Sequence, residues 1–265
     1  EALLTPERLD RFKLLILADR AALSSEQCAA IRGYVGRGGS VLATFATSLY
    51  DETGRQRANF GLADLFGVAF AGQIQGPMQN SYLTLETDPE TGRRHAILEG
   101  MDDTSRIING VFRIEVRPSQ PFPSPVTLIP SYPDLPMEDV YPRVSHTDTR
   151  EVYLRTLGNS RIVYIPWDID RTFWDVMCVD HGRLLRNAIR WAANEPQPVE
   201  VDGPGLLDVT AWRQRDSMTV HLVNLTNPMM MKGLLRETIP VGPQRVRVRL
   251  PAQTRARRVH LLTAG

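Results

Sequence analysis

The apolar residues of this chain recur in two rhythms. Residues 13–18 (KLLILA), 40–45 (SVLATF) and 161–167 (RIVYIPW) are short and almost continuously apolar, the pattern of strands buried on both faces in a parallel sheet. Between the first two, Ser24-Ser25-Glu26-Gln27 predicts a capping box. The helix it opens carries Cys28, Ile31 and Val35 on one face and stops at Gly36-Arg37-Gly38-Gly39. Strand, helix and strand in this order predict a βαβ unit. Thr5-Pro6 marks an earlier helix start, residues 59–66 a short helix stopped by Gly67, and residues 181–193 a helix with Leu184, Leu185, Ala188, Ile189 and Ala192 at helical spacing. Residues 70–160 hold β-rich stretches (81–86, 107–116, 126–129 and 151–155) between Pro- and Gly-rich turns.

Helical rhythm ends at Asn194-Glu195-Pro196-Gln197-Pro198. Beyond it, residues 207–212, 217–224, 244–250 and 257–262 all predict strands. The alternation Arg245-Val246-Arg247-Val248-Arg249-Leu250 predicts a solvated arginine face. The expected fold class is α/β. A flavodoxin-like or amidotransferase-like parallel sheet with flanking helices occupies residues 1–197, and a small all-β sandwich occupies 198–265.

Composition narrows the function. In 265 residues, 31 basic side chains face 30 acidic ones, a net charge of +1, so there is no cationic excess for nucleic acid. No apolar run approaches the roughly 20 residues of a membrane span. Cys28 and Cys178 are too few for a disulfide framework or a four-cysteine zinc site, although one bridge between them stays open. Lys13 and Lys232 are the only lysines, a bias expected of GC-rich codons. The opening Glu1-Ala2-Leu3-Leu4 has neither methionine nor targeting segment, which reads as a processed chain or a piece of a longer one and leaves the compartment undecided.

Candidate chemistry is sparse. The glycines at 36–39 follow a helix and precede a strand, the reverse of the order that points a helix N-terminus at a phosphate. No Gly-x-Ser/Cys-x-Gly elbow is present. At the end of the second strand Thr47 and Ser48 read as capping hydroxyls, with an atypical nucleophile as the weaker alternative. The richest segment follows the third strand: Trp167, Asp168, Asp170 and Trp174, then Asp180 and His181. It fits sugar binding by stacking and hydrogen bonding, a metal site, a paired-carboxylate site, or simple structure in which Asp180 caps the last helix and the tryptophans pack beneath the loop. Met229, Met230 and Met231 form either an adaptable surface on a hairpin tip or a loop folded back on the sandwich. No metal ligand set, cofactor motif or catalytic residue is assigned.

Residues 13–70, from KLLILADRAALSSEQCAAIRGYVGRGGSVLATFATSLYDETG to LADLFGV, resemble the β-galactosidase trimerisation domain, a class I glutamine amidotransferase-like module of family-42 and related glycoside hydrolases. The likeness lies in the order of an apolar strand, a Leu-Ser-x-x-Gln helix start, a Tyr-Val-x-x-Gly-Gly helix end, and a strand followed by Ser-Leu-Tyr-Asp. His95-Ala96-Ile97-Leu98-Glu99-Gly100 resembles the His-Pro-Ile…Gly turn of such domains, with Ala96 in place of proline. Residues 165–191 and 224–243 resemble the end of the module and a C-terminal β-domain. The resemblance implies a bacterial-type carbohydrate-active enzyme whose catalytic carboxylates sit on a barrel outside this chain. The amidotransferase cysteine would fall at Ala46-Thr47-Ser48, so no catalytic residue carries over. The implied role is assembly with its own barrel and with neighbouring subunits in a homo-oligomer, a trimer in the family. A sugar-binding module using Trp167 and Trp174, or an atypical hydrolase, are the competing readings.

Overall fold

The three continuously apolar runs become adjacent strands of one sheet. A computed structural model describes residues 4–226 and 239–262, and the chain divides into two units, Glu1–Asn194 and Glu195–Gly265. In the first, α1 (Pro6–Leu9) starts on the preset proline. It is followed by β1 (Leu14–Leu17), α2 (Ser25–Gly36), β2 (Ser40–Thr44) and α3 (Ala63–Phe66). The capping box forms as predicted: Gln27 N–H donates to Ser24 Oγ (3.2 Å) and Ser24 N–H donates to Gln27 Oε1 (2.9 Å). A side chain at Gly39 would run into the Tyr34 ring, and the left-handed Gly67 ends α3.

Seven further strands or short ladders follow: β3 (Val68–Gln75), β4 (Tyr82–Leu85), β5 (Arg106–Ile108), β6 (Arg113–Pro118), β7 (Val126–Ile129), β8 (Tyr153–Leu157) and β9 (Ser160–Ile165). The main sheet has the order β1-β2-β9-β8. Its first three strands, the three read from the sequence, are parallel as expected, and β8 adds an antiparallel edge. The two-residue turn Gly158-Asn159 joins β8 to β9, and so short a connection permits only an antiparallel hairpin. β3 pairs with β6, and β5-β4-β7 form a second antiparallel sheet, which accounts for the region of weak sequence rhythm.

Both faces of the main sheet are covered. Val41, Ala43, Ile162 and Tyr164 belong to a core with Ile31, Tyr34 and Val35 of α2. Leu42, Val163 and Ile165 belong to another with Leu184, Ala188 and Ala192 of α5 (Val179–Ala193). Between β9 and α5 lies α4 (Ile169–Val176), a helix where the sequence suggested only a loop. The second unit is all-β in its described residues: β10 (Val199–Asp202) pairs with β13 (Arg245–Val248), and β11 (Leu207–Arg213) with β12 (Met218–Asn224), all antiparallel. None of its described residues is buried, and residues 257–262, expected as a strand, pair with no strand among the described residues and are exposed. Arg247 of the arginine face pairs across the ladder with Glu200 at 2.7 Å. Cys28 and Cys178 are both free thiols, so the bridge left open by the sequence is not made. Among the described residues no helix is long and apolar enough to cross a membrane.

Candidate functional site at the carboxyl end of the sheet

Chemistry-bearing residues collect where β1, β2 and β9 end, as expected for an open α/β sheet. β1 runs into Asp19 and β2 into Phe45, both with left-handed backbones (φ 40° and 45°), and Ser48 adds a third at 65°. Non-glycine residues hold such angles only where surrounding contacts impose them. Here Phe45 N–H donates to Ile165 O (2.8 Å), Tyr164 OH donates to Phe45 O (2.7 Å), and Asp19 N–H donates to Thr44 Oγ1 (2.8 Å).

The Asp19 carboxyl accepts from Ala46 N–H at 3.2 Å. Partial withdrawal from water pushes it up to about 6. The Ala46 N–H opposes this rise, and the neighbouring Asp170 and Asp168 carboxylates add to it. Asp168 is buried at the start of α4, accepts from Phe112 N–H (3.1 Å) and is ion-paired with Arg171. Asp170 is half-buried, and its Oδ1 is enclosed without a hydrogen-bond partner.

The hydroxyls expected to cap do so. Thr47 Oγ1 lies 2.7 Å from Thr44 O and 2.9 Å from Leu17 O and accepts from Arg20 N–H (3.2 Å). Ser48 Oγ accepts from Leu62 N–H (3.1 Å). Both residues are fully buried, so neither oxygen is presented to a substrate.

The remaining sequence candidates part company. Trp167 is a core residue, fully buried, its indole N–H on Glu151 O (3.1 Å) and its ring edge-to-face with His181 at 5.2 Å. His181 is equally buried, with Nε2 2.8 Å from Ile108 O and Nδ1 enclosed without a partner. Burial lowers its pKa, and the contact with Ile108 works the other way. Trp174, by contrast, is 62% exposed on α4, so the two tryptophans do not share a platform. Asp180 sits in the first turn of α5, whose N-cap is Cys178; the sequence placed that cap two residues late. Met229, Met230 and Met231 lie outside the described residues. Among the described residues no group of three or more His, Cys, Asp or Glu is arranged to hold a metal ion.

Sequence reasoning passed over Asp19, although a carboxylate directly after a buried strand is itself a positional signal. It also missed Arg113 and Glu151, which carried no signal at all. This pair lies wholly inside the unit, with Arg113 Nε donating to Glu151 Oε1 (2.8 Å) and Arg113 Nη1 donating to Gln75 Oε1 (2.6 Å). Complete burial pushes Glu151 up to about 7 against the pull of Arg113. The pair underlies the β9 loop: Arg113 bridges Trp167, and Ile114 N–H donates to Pro166 O (2.8 Å).

The fold occurs inside much longer glycoside hydrolase chains. Gan42B, a GH42 β-galactosidase from G. stearothermophilus, superposes with a TM-score of 0.57 at 15% identity, over 82% of this chain and 27% of its own. The β-galactosidase from Bacillus circulans sp. alkalophilus gives 0.55 at 13%, over 83% and 28%. The α-L-fucosidase isoenzyme 2 from Paenibacillus thiaminolyticus gives 0.62 at 15%, over 90% and 34%. This chain therefore spans about a quarter to a third of the length of those proteins. No family model matches it, and no curated protein matches it in sequence.

Proposed function

We propose that this chain is a non-catalytic accessory and oligomerisation portion of a carbohydrate-active enzyme, with residues 1–197 as a trimerisation-type module and 198–265 as its β-domain. In this reading the chain packs against a catalytic barrel outside it and against neighbouring subunits. The observation that carries the reading is a fold shared with only part of each GH42 β-galactosidase chain. The occupied Thr47 and Ser48 hydroxyls supply a second reason, since the strand-end turn offers no free nucleophile. The test is an assay of the 265-residue chain against chromogenic galactosides and fucosides. The expected result is no turnover. Hydrolysis abolished by Thr47→Ala or Asp19→Asn would overturn the reading.

A second reading, sugar binding, is favoured by one observation: Trp174 is exposed on α4, the helix that carries the half-buried Asp170. Carboxylates and an indole face are groups that bind sugar hydroxyls and ring hydrogens. Titration with galactose should shift the tryptophan emission, and Trp174→Ala should remove the shift. An unchanged spectrum at millimolar sugar excludes it.

A further inference from the structure

The connector from β5 to β6 is a strap across the carboxyl end of β9. Residues 108–112 pass from one antiparallel sheet to another and lie against Trp167 and Asp168. A Cβ at Gly110 would run into the Asp168 carboxylate and stand 2.8 Å from the Trp167 ring, so glycine is the residue that fits this crossing. Asp168 fastens one end: Phe112 N–H donates to Asp168 Oδ1 and Asp168 N–H donates to Phe112 O, both at 3.1 Å. His181 fastens the other end through Nε2, 2.8 Å from Ile108 O. A carbonyl only accepts, so Nε2 carries the proton and the neutral ring leaves Nδ1 bare. That nitrogen is enclosed without a partner, on a residue with no exposed surface.

We propose that proton uptake by His181 unlatches the Ile108 end of this strap. Nδ1 takes the proton, and the imidazolium leaves its enclosure together with the first turn of α5. The ring then uncovers the Trp167 indole it meets edge-to-face. Three features make the closed state reject the proton. Nδ1 has no acceptor, so a proton placed there is a buried, unpaired charge. The ring stands in the first turn of α5, where the helix dipole disfavours a positive charge. The carboxylates that act on it are Asp180 on its own helix and Asp168 at the start of α4, and Asp168 is already ion-paired with Arg171. From β5 the ring meets the Ile108 carbonyl, and after β9 the uncharged Trp167. Asn109 N–H donates to Ser81 O (3.1 Å) and Met78 N–H to Val111 O (2.7 Å). These bonds keep the strap on its own sheet, so the start of α5 is the side that moves. The latch goes beyond the accessory reading and does not depend on it.

The test is amide exchange of the 265-residue chain together with ring-nitrogen NMR of His181, from about pH 7.5 down to about pH 5. The expected result at the upper end is a neutral ring protonated on Nε2. Below about 6.5 the protection factor of Gly182, whose N–H donates to Cys178 O, should fall by up to about tenfold per pH unit. Phe112, held by Asp168, and Leu42 in the main sheet should keep theirs. His181→Gln can still donate to Ile108 O but takes up no proton, and should make the protection of Gly182 independent of pH. A wild-type Gly182 whose protection ignores pH overturns the proposal, and so does a His181 that titrates while Gly182 stays protected. Equal loss at Leu42 overturns it too, since the whole unit then opens, as does a His181→Gln chain with the wild-type slope. The wild-type measurements decide even if the variant fails to fold. Turnover of galactosides bears on the accessory reading alone.

Discussion

Arg113 and Glu151 carry the largest single-residue consequences. A buried pair broken from one side leaves an unpaired charge, so Arg113→Ala should cost about 3–5 kcal/mol in urea unfolding. Replacement of both partners by apolar residues should cost much less. The pair also sets a pH dependence. Glu151 binds its proton more tightly folded, at about 7, than at its ordinary 4.5, so the folded chain holds more protons between these values. That contribution to stability is complete below about 4.5 and is lost as pH rises through about 7. Asp19, raised to about 6, acts in the same direction, and the lowered His181 acts in the opposite one, losing stability as pH falls below its unfolded value. Glu151→Gln should flatten the decline between pH 4.5 and 7 in a series of urea midpoints; an unaltered slope would show that Glu151 stays ionised throughout. The buried Arg113–Glu151 pair was not legible in the sequence. Arg113 and Glu151 are 38 residues apart in a region of weak rhythm, and only the folded topology brings them together.

At the scale of elements, legibility followed locality. The capping box of α2 could be read because both partners lie within four residues, and Ser24→Ala should cost about 1 kcal/mol by thermal or urea unfolding. β2 and β9 could be read because burial on two faces keeps Val41-Leu42-Ala43 and Ile162-Val163-Tyr164-Ile165 free of charged positions that would break the run. α4 was missed because its residues carry chemistry-like side chains: Asp168, Asp170, Arg171 and Trp174 suggest a site before they suggest a turn of helix. The expected single stretch at 107–116 splits into β5 and β6, which pair in different sheets, a choice made by distant strands. Gly67 illustrates a local rule with a distant enforcer. It is left-handed, and a Cβ there would stand 2.8 Å from the Phe122 ring, so Gly67→Ala should destabilise by more than the about 1 kcal/mol of strain alone. An equal melting temperature for the two proteins would contradict this.

Across the whole molecule, stability is unevenly shared. Both buried cores draw on residues no later than Ala192, and the described part of the second unit buries none. A fragment ending at Asn194 should therefore keep the main cooperative unfolding transition with little change in midpoint, measured by far-UV circular dichroism. Loss of cooperativity in that fragment would show that the second unit contributes stability unseen in its burial. The α/β class was legible from three apolar runs and one helix. The antiparallel edge of the sheet was not, because a hairpin and a crossover give the same apolar signature within β8 and β9.

The doubly covered sheet also works as a partition. Along β2, one step from Leu42 to Ala43 moves from the α5 side to the α2 side, although the two residues share a peptide bond. A cavity made at Leu42 should therefore speed amide exchange in α5 while α2 stays protected, and overpacking at Ala43 should do the reverse. Neighbours in sequence here have separate thermodynamic addresses.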